Sequence, residues 1–586
     1  MPYPYKEIIG LIRSKRKEIE SKVYGILAGL HATAWVTPEP TDFSHRTNGV
    51  RKTVAIGQKW GELWDCAWFH FTGTVPRSAI GQKVVLLLDL SGEGCLFDER
   101  GCPVQGLTNV GSTFDLSLGK PGKRVVDITE QSTGDEAIDL WVEAGCNDLF
   151  GNYKGNGELK EACIAVCREG LRSLYYDYAT LLELMEVLPQ ESARTHSIGY
   201  ALKEAALLLN DYTDTEIAQA KEILAGELGK KGGDPSLRIS AIGHGHIDLA
   251  WLWPVRETKR KAARTFSTVL KMMEKYPDYV FGASQPQLYE WVKQDYPLLY
   301  EKIREKIAEG RWECQGGMWA EADTNLAGGE ALIRQFLYGK RFFQKEFGKD
   351  MEILWLPDVF GCSGALPQII KKSGCRYFMT IKLSWNMVNP FPHHTFVWEG
   401  IDGTRVLAHM PPEGTYNSSA APRAIQKCEH AFLDKGISEE CLLVYGIGDG
   451  GGGPGEEHLE MLRREKDLAG LAPVKQEPSI DFFRRIDRNT DRYARWVGEL
   501  YLEKHQGTYT TQAKNKYYNR KMELALRDLE IILSMGNWPG CGEYPKERID
   551  KLWKEVLLYQ FHDILPGSSI QRVYKETTAG YKKMLE

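Results

Sequence analysis

Apolar residues recur at roughly helical spacing at the start of the chain: Ile8, Ile9, Leu11, Ile12, Ile19, Val23, Ile26 and Leu27. The spacing predicts a helical arm over residues 1–35, inside an N-terminal unit of residues 1–50. From about Lys52 to Val166 the texture changes to short apolar runs, such as Lys83 to Asp89, set between Gly-rich turns. Residues 51–170 are therefore expected to form an antiparallel β-sandwich. Cys163 and Cys167 are four residues apart, which fits one turn of a helix and a place in the core. A second helical stretch runs from about Leu171 to Gly229. It ends in Gly229-Lys230-Lys231-Gly232-Gly233-Asp234-Pro235, a breaker-rich segment that reads as a linker closing a connector of residues 171–234.

Past that linker the pattern alternates. Apolar strands are expected at Ile239–Ile242, Tyr279–Gly282, Ile353–Leu356, Tyr377–Ile381 and Leu442–Tyr445. Amphipathic helices are expected between them, near Arg256–Glu274, Leu298–Glu309 and Glu330–Phe347. Alternating strand and helix implies a parallel sheet, open or closed into a barrel, over residues 235–510. Residues 511–586 keep only helical periodicity and predict a bundle of three helices. The fold class read from the pattern is thus multidomain α/β, with a β-rich sandwich first and helices last.

Composition narrows the function without naming it. Hydrophobic residues make up 42% and charged residues 26%, which is ordinary for a globular chain and excludes disorder or a coiled coil. The formal net charge of −5 over 586 residues offers no basic field, so nucleic acid is not an expected partner. The 12 cysteines are too sparse for a disulfide scaffold. No run of about 18 apolar residues occurs, and no membrane partner is expected. The N-terminal stretch carries Lys, Arg and Glu where a secretory signal would be apolar, so the expected compartment is the cytoplasm. Composition leaves a homo-oligomer open.

Four segments carry candidate chemistry, and three follow expected strands, where α/β folds place active sites. The first is Ile242-Gly243-His244-Gly245-His246-Ile247-Asp248-Leu249-Ala250-Trp251-Leu252-Trp253-Pro254. Imidazole and carboxylate are standard ligands of zinc-like ions. Residues two apart in an extended stretch point the same way, so His246 with Asp248, or His244 with His246, could hold one ion. The second is Ile353-Leu354-Trp355-Leu356-Pro357-Asp358-Val359-Phe360-Gly361. A carboxylate ending so apolar a strand needs a partner, which makes Asp358 a metal ligand, a nucleophile or a helix cap. The third, Gly446-Ile447-Gly448-Asp449-Gly450-Gly451-Gly452-Gly453-Pro454, lacks the Gly-Lys-Ser/Thr of a phosphate loop. Its glycines allow close backbone approach and expose one carboxyl, Asp449. The fourth, Phe561-His562-Asp563-Ile564-Leu565-Pro566-Gly567, sets a His-Asp pair at the end of an apolar helix. Together the segments supply two His and two Asp for a metal and a further carboxylate nearby, and two carboxylates of separate duty are what retaining glycoside hydrolysis needs.

Taken together, these motifs resemble the class II α-mannosidases, glycoside hydrolase family 38, and look closest to their cytosolic-type and bacterial branch. The resemblance covers most of the chain and is strongest over residues 239–570. It implies a seven-stranded β/α barrel followed by a three-helix bundle, a mannose-containing oligosaccharide as substrate, and one divalent ion, Zn²⁺ or Co²⁺. It places the metal ligands on His246, Asp248, Asp358 and His562, and the nucleophile on Asp358. Trp251 matches the aromatic under the sugar, and Asp563 a carboxylate on its hydroxyls. Glu321 and Asp323 look like further sugar contacts, and Lys382 falls near a position where other branches carry Arg. Asp449 is taken as the acid/base, although Golgi and lysosomal relatives have two consecutive acidic residues where this chain has Asp449 and Gly450. His244 is expected behind the ligands. The family's C-terminal β domains are expected to be absent, so a non-catalytic carbohydrate-binding fragment is one alternative. An amidohydrolase-type metal hydrolase is another, and would recruit His393, His394 or His409.

Overall fold

The computed structural model describes residues 5–152, 155–233, 236–535 and 544–586. It opens with the helix Tyr5–Ser21. The expected helical arm ends there, because Tyr24–Gly29 and His31–Thr37 are strands. Ile26, counted with the helical stripe, is 64% exposed. Burial alternates along His31–Thr37, and the strand pairing available downstream overrides the weaker helical spacing.

Those strands begin a sandwich of two antiparallel sheets. The four-stranded sheet has the order Tyr24–Gly29, Glu161–Cys167, Val84–Asp89, Val125–Thr129. The six-stranded sheet has the order Val50–Thr53, His31–Thr37, Cys66–Thr74, Ala137–Gly145, Glu93–Phe97, Pro103–Thr108. Cys163 and Cys167 therefore lie on a strand and not on a helix. Val84, Leu86 and Leu88 point between the sheets toward Phe69, Phe71 and Val142. Val85 and Leu87 point outward into a core shared with Leu171, Leu174 and Tyr178 of the helix Glu169–Val187. A strand buried on both faces reads as a continuous apolar run, as this one does.

The helices Ala193–Leu208 and Asp214–Leu228 complete the connector. Of the expected linker, Asp234 and Pro235 lie outside the described residues. Lys230 is tied back to the fold, its carbonyl accepting a bond of 3.0 Å from the Ala469 amide.

The α/β unit follows, and its strands and helices fall close to the expected positions. Arg238–His244 pairs in parallel with Phe281–Ala283, Glu440–Tyr445 and Val474–Gln476, and Trp312–Cys314 extends that sheet. A second sheet runs Ile353–Trp355, Tyr377–Met379, Arg405–His409, Thr395–Glu399, Arg495–Val497. Its one antiparallel pair is the hairpin of Thr395–Glu399 with Arg405–His409. The hydrogen-bonded ladders thus form two five-stranded arcs.

The helix Val255–Lys275 is pressed between this unit and the sandwich. A Cβ at Gly106 would lie 2.7 Å from the Arg264 carbonyl oxygen, so the sandwich backbone touches the helix there. Charges inside the contact are paired: Lys261 with Glu93 at 2.6 Å, Arg260 with Glu257 at 2.8 Å, Arg264 with Glu143 at 3.3 Å. Three helices close the chain, Ala513–Met535, Lys546–Tyr559 and Gln571–Leu585. They share one apolar core, including Leu526, Trp553, Val556 and Tyr581. Among the described residues no helix is long and apolar enough to cross a membrane.

Candidate active site and metal centre

The strand Arg238–His244 ends at the first motif, and the next residues stay extended. Ile247 bridges to Gly450, and the Asp248 amide donates to the Asp449 carbonyl at 2.8 Å. This pairing sends Ile247 into the core and leaves His246 and Asp248 on the other side, together. Asp358 arrives from the end of Ile353–Trp355. His562 arrives on the turn after Lys546–Tyr559, which is stitched to the 321–323 segment by the Ala322–Phe561 bridge.

One ligand atom from each of His246, Asp248, Asp358 and His562 can be chosen so that all lie within 4.8 Å of one another. His246 Nε2 is 2.9 Å from Asp248 Oδ1. His562 Nε2 is 3.3 Å from the same oxygen and 3.8 Å from Asp358 Oδ2. Ligands about 2.0–2.2 Å from a zinc ion sit about 3–4 Å apart, so the set has the right span. The tautomers fit as well. His562 Nδ1 bonds the Glu321 carbonyl at 2.8 Å, which turns Nε2 inward, and Nε2 is buried without a hydrogen bond. His246 Nδ1 lies 3.2 Å from Glu321 Oε2, again leaving Nε2 for the cluster. A backbone carbonyl or carboxylate on the far nitrogen is how metal-binding histidines are oriented. The residues present fit a divalent ion.

The electrostatics point the same way. Burial pulls the His246 imidazolium toward neutrality, but the Glu321 and Asp248 charges outweigh it and hold its pKa well above 6.5. For His562, burial is likewise outweighed, here by Asp248 and Asp563, and the pKa rises to about 8. Each proton stands where a metal ion would otherwise balance the carboxylates.

A cavity of about 900 Å³ opens over this cluster. Asp248, Trp251, Asp358, Lys382, Asp449 and Asp563 all line it. Lys382 donates to Asp358 Oδ1 at 2.5 Å, while Oδ2 of the same carboxylate faces His562. Asp563 accepts from the Ser568 hydroxyl; burial, then the Asp248 charge, pushes its pKa up to about 7. Asp449 sits at φ 60°, a left-handed conformation. Burial, then Asp248 and Asp358, raises its pKa to about 6. A Cβ at Gly450 would lie 2.0 Å from the Leu149 carbonyl oxygen, so no second acidic side chain fits beside Asp449.

Two expected sugar contacts are placed elsewhere. Glu321 is 2% exposed behind His246, and its other oxygen, Oε1, accepts from Ser284 at 2.5 Å. Asp323 accepts the Asn325 and Leu326 amides and shapes its own turn. Neither lines the cavity. Carboxylates this buried are spent on orienting a ligand and on capping, which spacing alone could not distinguish from sugar binding. His244 is buried beside the cluster, its Nδ1 on the Gly282 carbonyl at 2.8 Å. The alternative histidines are engaged elsewhere: His409 with Thr395 and the Leu442 amide, His394 with the Leu433 amide, His393 with Asp434. Tyr416 escaped the sequence reading. Its hydroxyl donates to Asp449 Oδ1 at 2.5 Å. Its segment follows the strand Arg405–His409, but it carries no His or carboxylate cluster to mark it.

Residues 236–499, which hold His246, Asp248, Asp358 and Asp449, match the family model described as glycosyl hydrolases family 38 N-terminal domain. Residues 28–169 match the α-mannosidase jelly roll domain, and residues 503–586 the α-mannosidase middle domain. The chain belongs to glycoside hydrolase family 38. Among its relatives, α-mannosidase 2C1 of Homo sapiens is 37% identical over 94% of this chain and 53% of its own length. α-Mannosidase G of Dictyostelium discoideum is 38% identical over 97% of this chain and 53% of its own length. The chain therefore spans about half the length of these curated relatives. A solved α-mannosidase from Enterococcus faecalis V583 shares the fold over 61% of this chain and 41% of its own, with a TM-score of 0.51 at 18% identity.

Proposed function

We propose that the protein is a metal-dependent retaining α-mannosidase that hydrolyses terminal α-mannosidic bonds of oligosaccharides or glycans. The observation that carries this reading is the convergence of Asp358 and Asp449 in one cavity above a four-residue ligand set. His246, Asp248, Asp358 and His562 would hold one divalent ion, Zn²⁺ or Co²⁺, which when bound supplies positive charge to mannose hydroxyls. A carboxylate oxygen of Asp358 attacks the anomeric carbon as the glycosidic bond breaks. Asp449 gives its proton to the departing oxygen. It then takes a proton from water, whose oxygen displaces Asp358 and releases mannose. Lys382 grips one oxygen of Asp358 throughout, and Tyr416 aims Asp449. Trp251 offers a flat face to the sugar, and Asp563 a hydrogen-bonding partner to its hydroxyls.

The same reading takes residues 235–510 as a seven-stranded β/α barrel and residues 511–586 as a three-helix bundle. The matched family domains, residues 236–499 and 503–586, support a division of the chain near there. The sparse cysteines support a cytoplasmic setting. Proton NMR of the first product from an aryl α-mannoside tests the chemistry. Release of α-mannose is expected. Release of β-mannose contradicts Asp358 as nucleophile, and no release at all favours a non-catalytic carbohydrate-binding role.

A further inference from the structure

We propose that Phe114 and Phe150, both supplied by the N-terminal sandwich, form the subsite that holds the sugar leaving from the Asp449 side of the cavity. The inference rests on the reading of Asp449 as general acid. A general acid delivers its proton to the glycosidic oxygen, so the leaving sugar lies next to it and away from the mannose.

The sandwich reaches that place by direct backbone contact. The Leu149 carbonyl oxygen abuts Gly450, the residue after Asp449. Gly151 abuts the Leu252 carbonyl oxygen, one residue past Trp251, where a Cβ would lie 2.8 Å away. Phe150 is therefore wedged between the loop of the acid and the loop of the sugar-stacking tryptophan. Lys261 fixes this segment by donating to the Leu149 carbonyl at 2.8 Å. Phe114 stacks on Phe150, with ring centroids 5.5 Å apart and planes at 14°. Its own loop is pinned to the α/β unit at two points. Lys123 donates to the Gly453 carbonyl at 3.3 Å, and Arg423 donates to the Ser117 carbonyl at 2.8 Å.

Both rings are half-buried, and both line the catalytic cavity. A stacked pair of flat apolar rings with open faces suits the C–H face of a pyranose. Fixed aromatic side chains also lose little conformational freedom on binding. The ligand class is a pyranose that departs through one of its hydroxyl oxygens, and the sandwich becomes part of the active site.

The test compares two substrates on the full chain. A mannose disaccharide has a leaving sugar, whereas α-mannosyl fluoride has a leaving group too small to reach either ring. Phe114→Ala and Phe150→Ala are each expected to lower kcat/KM for the disaccharide by about tenfold, the size of one lost aromatic contact. Turnover of the fluoride is expected to change by less than about twofold, and Phe150→Tyr to keep the disaccharide activity. Equal losses on both substrates, or no loss on the disaccharide, overturn the subsite while leaving the proposed activity standing. Failure of the unmodified chain to turn over the fluoride overturns the proposed activity, and the subsite with it.

Discussion

Two clusters of buried charge are built on opposite plans. In the contact between sandwich and helix, Arg260, Lys261 and Arg264 meet Glu93, Glu143 and Glu257, and every charge has an opposite partner. In the cavity, Asp248, Asp358, Asp449 and Asp563 crowd together, and Lys382 is the one Lys or Arg paired with any of them among the described residues. The balanced cluster has nothing left to bind. Burial first, then the surplus of negative charge, lifts the pKa of Asp449 and Asp563, and the same surplus draws protons onto His246 and His562. Burial of charge is costly in either place. Only the unbalanced one stores the demand for an ion and a proton that chemistry can use.

This contrast can be broken by removing charges from each side. The largest effect is expected from Asp358→Ala, which removes the proposed nucleophile and metal ligand together; kcat on an aryl α-mannoside should fall by about four orders of magnitude. In the balanced cluster, Lys261→Met should leave Glu93 without its closest partner and cost about 3–5 kcal/mol of stability by urea unfolding. Asp563→Asn should do the reverse in metal-free protein and raise its urea midpoint, because it relieves repulsion. If both changes destabilise alike, the two clusters are not different in kind.

The pH dependence sharpens the same point. Asp449 and Asp563 have folded pKa values raised to about 6 and about 7. The folded state of metal-free protein thus binds more protons than the unfolded chain. The stability these groups contribute is complete below about pH 4 and is lost as pH rises through about 6 and 7. His562, raised to about 8, adds loss in the same direction above its ordinary value. The melting temperature of metal-free protein should therefore carry a downward contribution from pH 4 to pH 8 that saturating divalent ion removes. The smallest effect is expected from Tyr416→Phe. Its hydrogen bond favours the Asp449 carboxylate, so its loss should move the alkaline limb of kcat/KM to higher pH, with kcat reduced about tenfold.

The balanced cluster was invisible in the sequence, whereas most of the surplus one could be read there. His246 and Asp248 sit two apart after a strand, and Asp358 ends an apolar strand; both signals are local, and the fold realises both. The strands and helices of the α/β unit were legible for the same reason. The Tyr24–Gly29 strand was not, since its pairing with Glu161–Cys167 is set by residues far along the chain. Glu321 and Asp323 show the limit of motif reading: a carboxylate near the site can face the ligand's back or its own turn. Tyr416, Phe114 and Phe150 reach the cavity only through tertiary contacts, and an isolated aromatic in a loop gives no warning of that.

The central claim is that the surplus of buried carboxylate exists to hold one catalytic ion. The direct measurement strips the protein with a chelator, then adds Zn²⁺ or Co²⁺ in steps while following hydrolysis of an aryl α-mannoside. The stripped protein is expected to be inactive, with activity returning in proportion to added ion and levelling at one equivalent per chain. Undiminished activity in stripped protein, with no bound metal detected, would contradict the account.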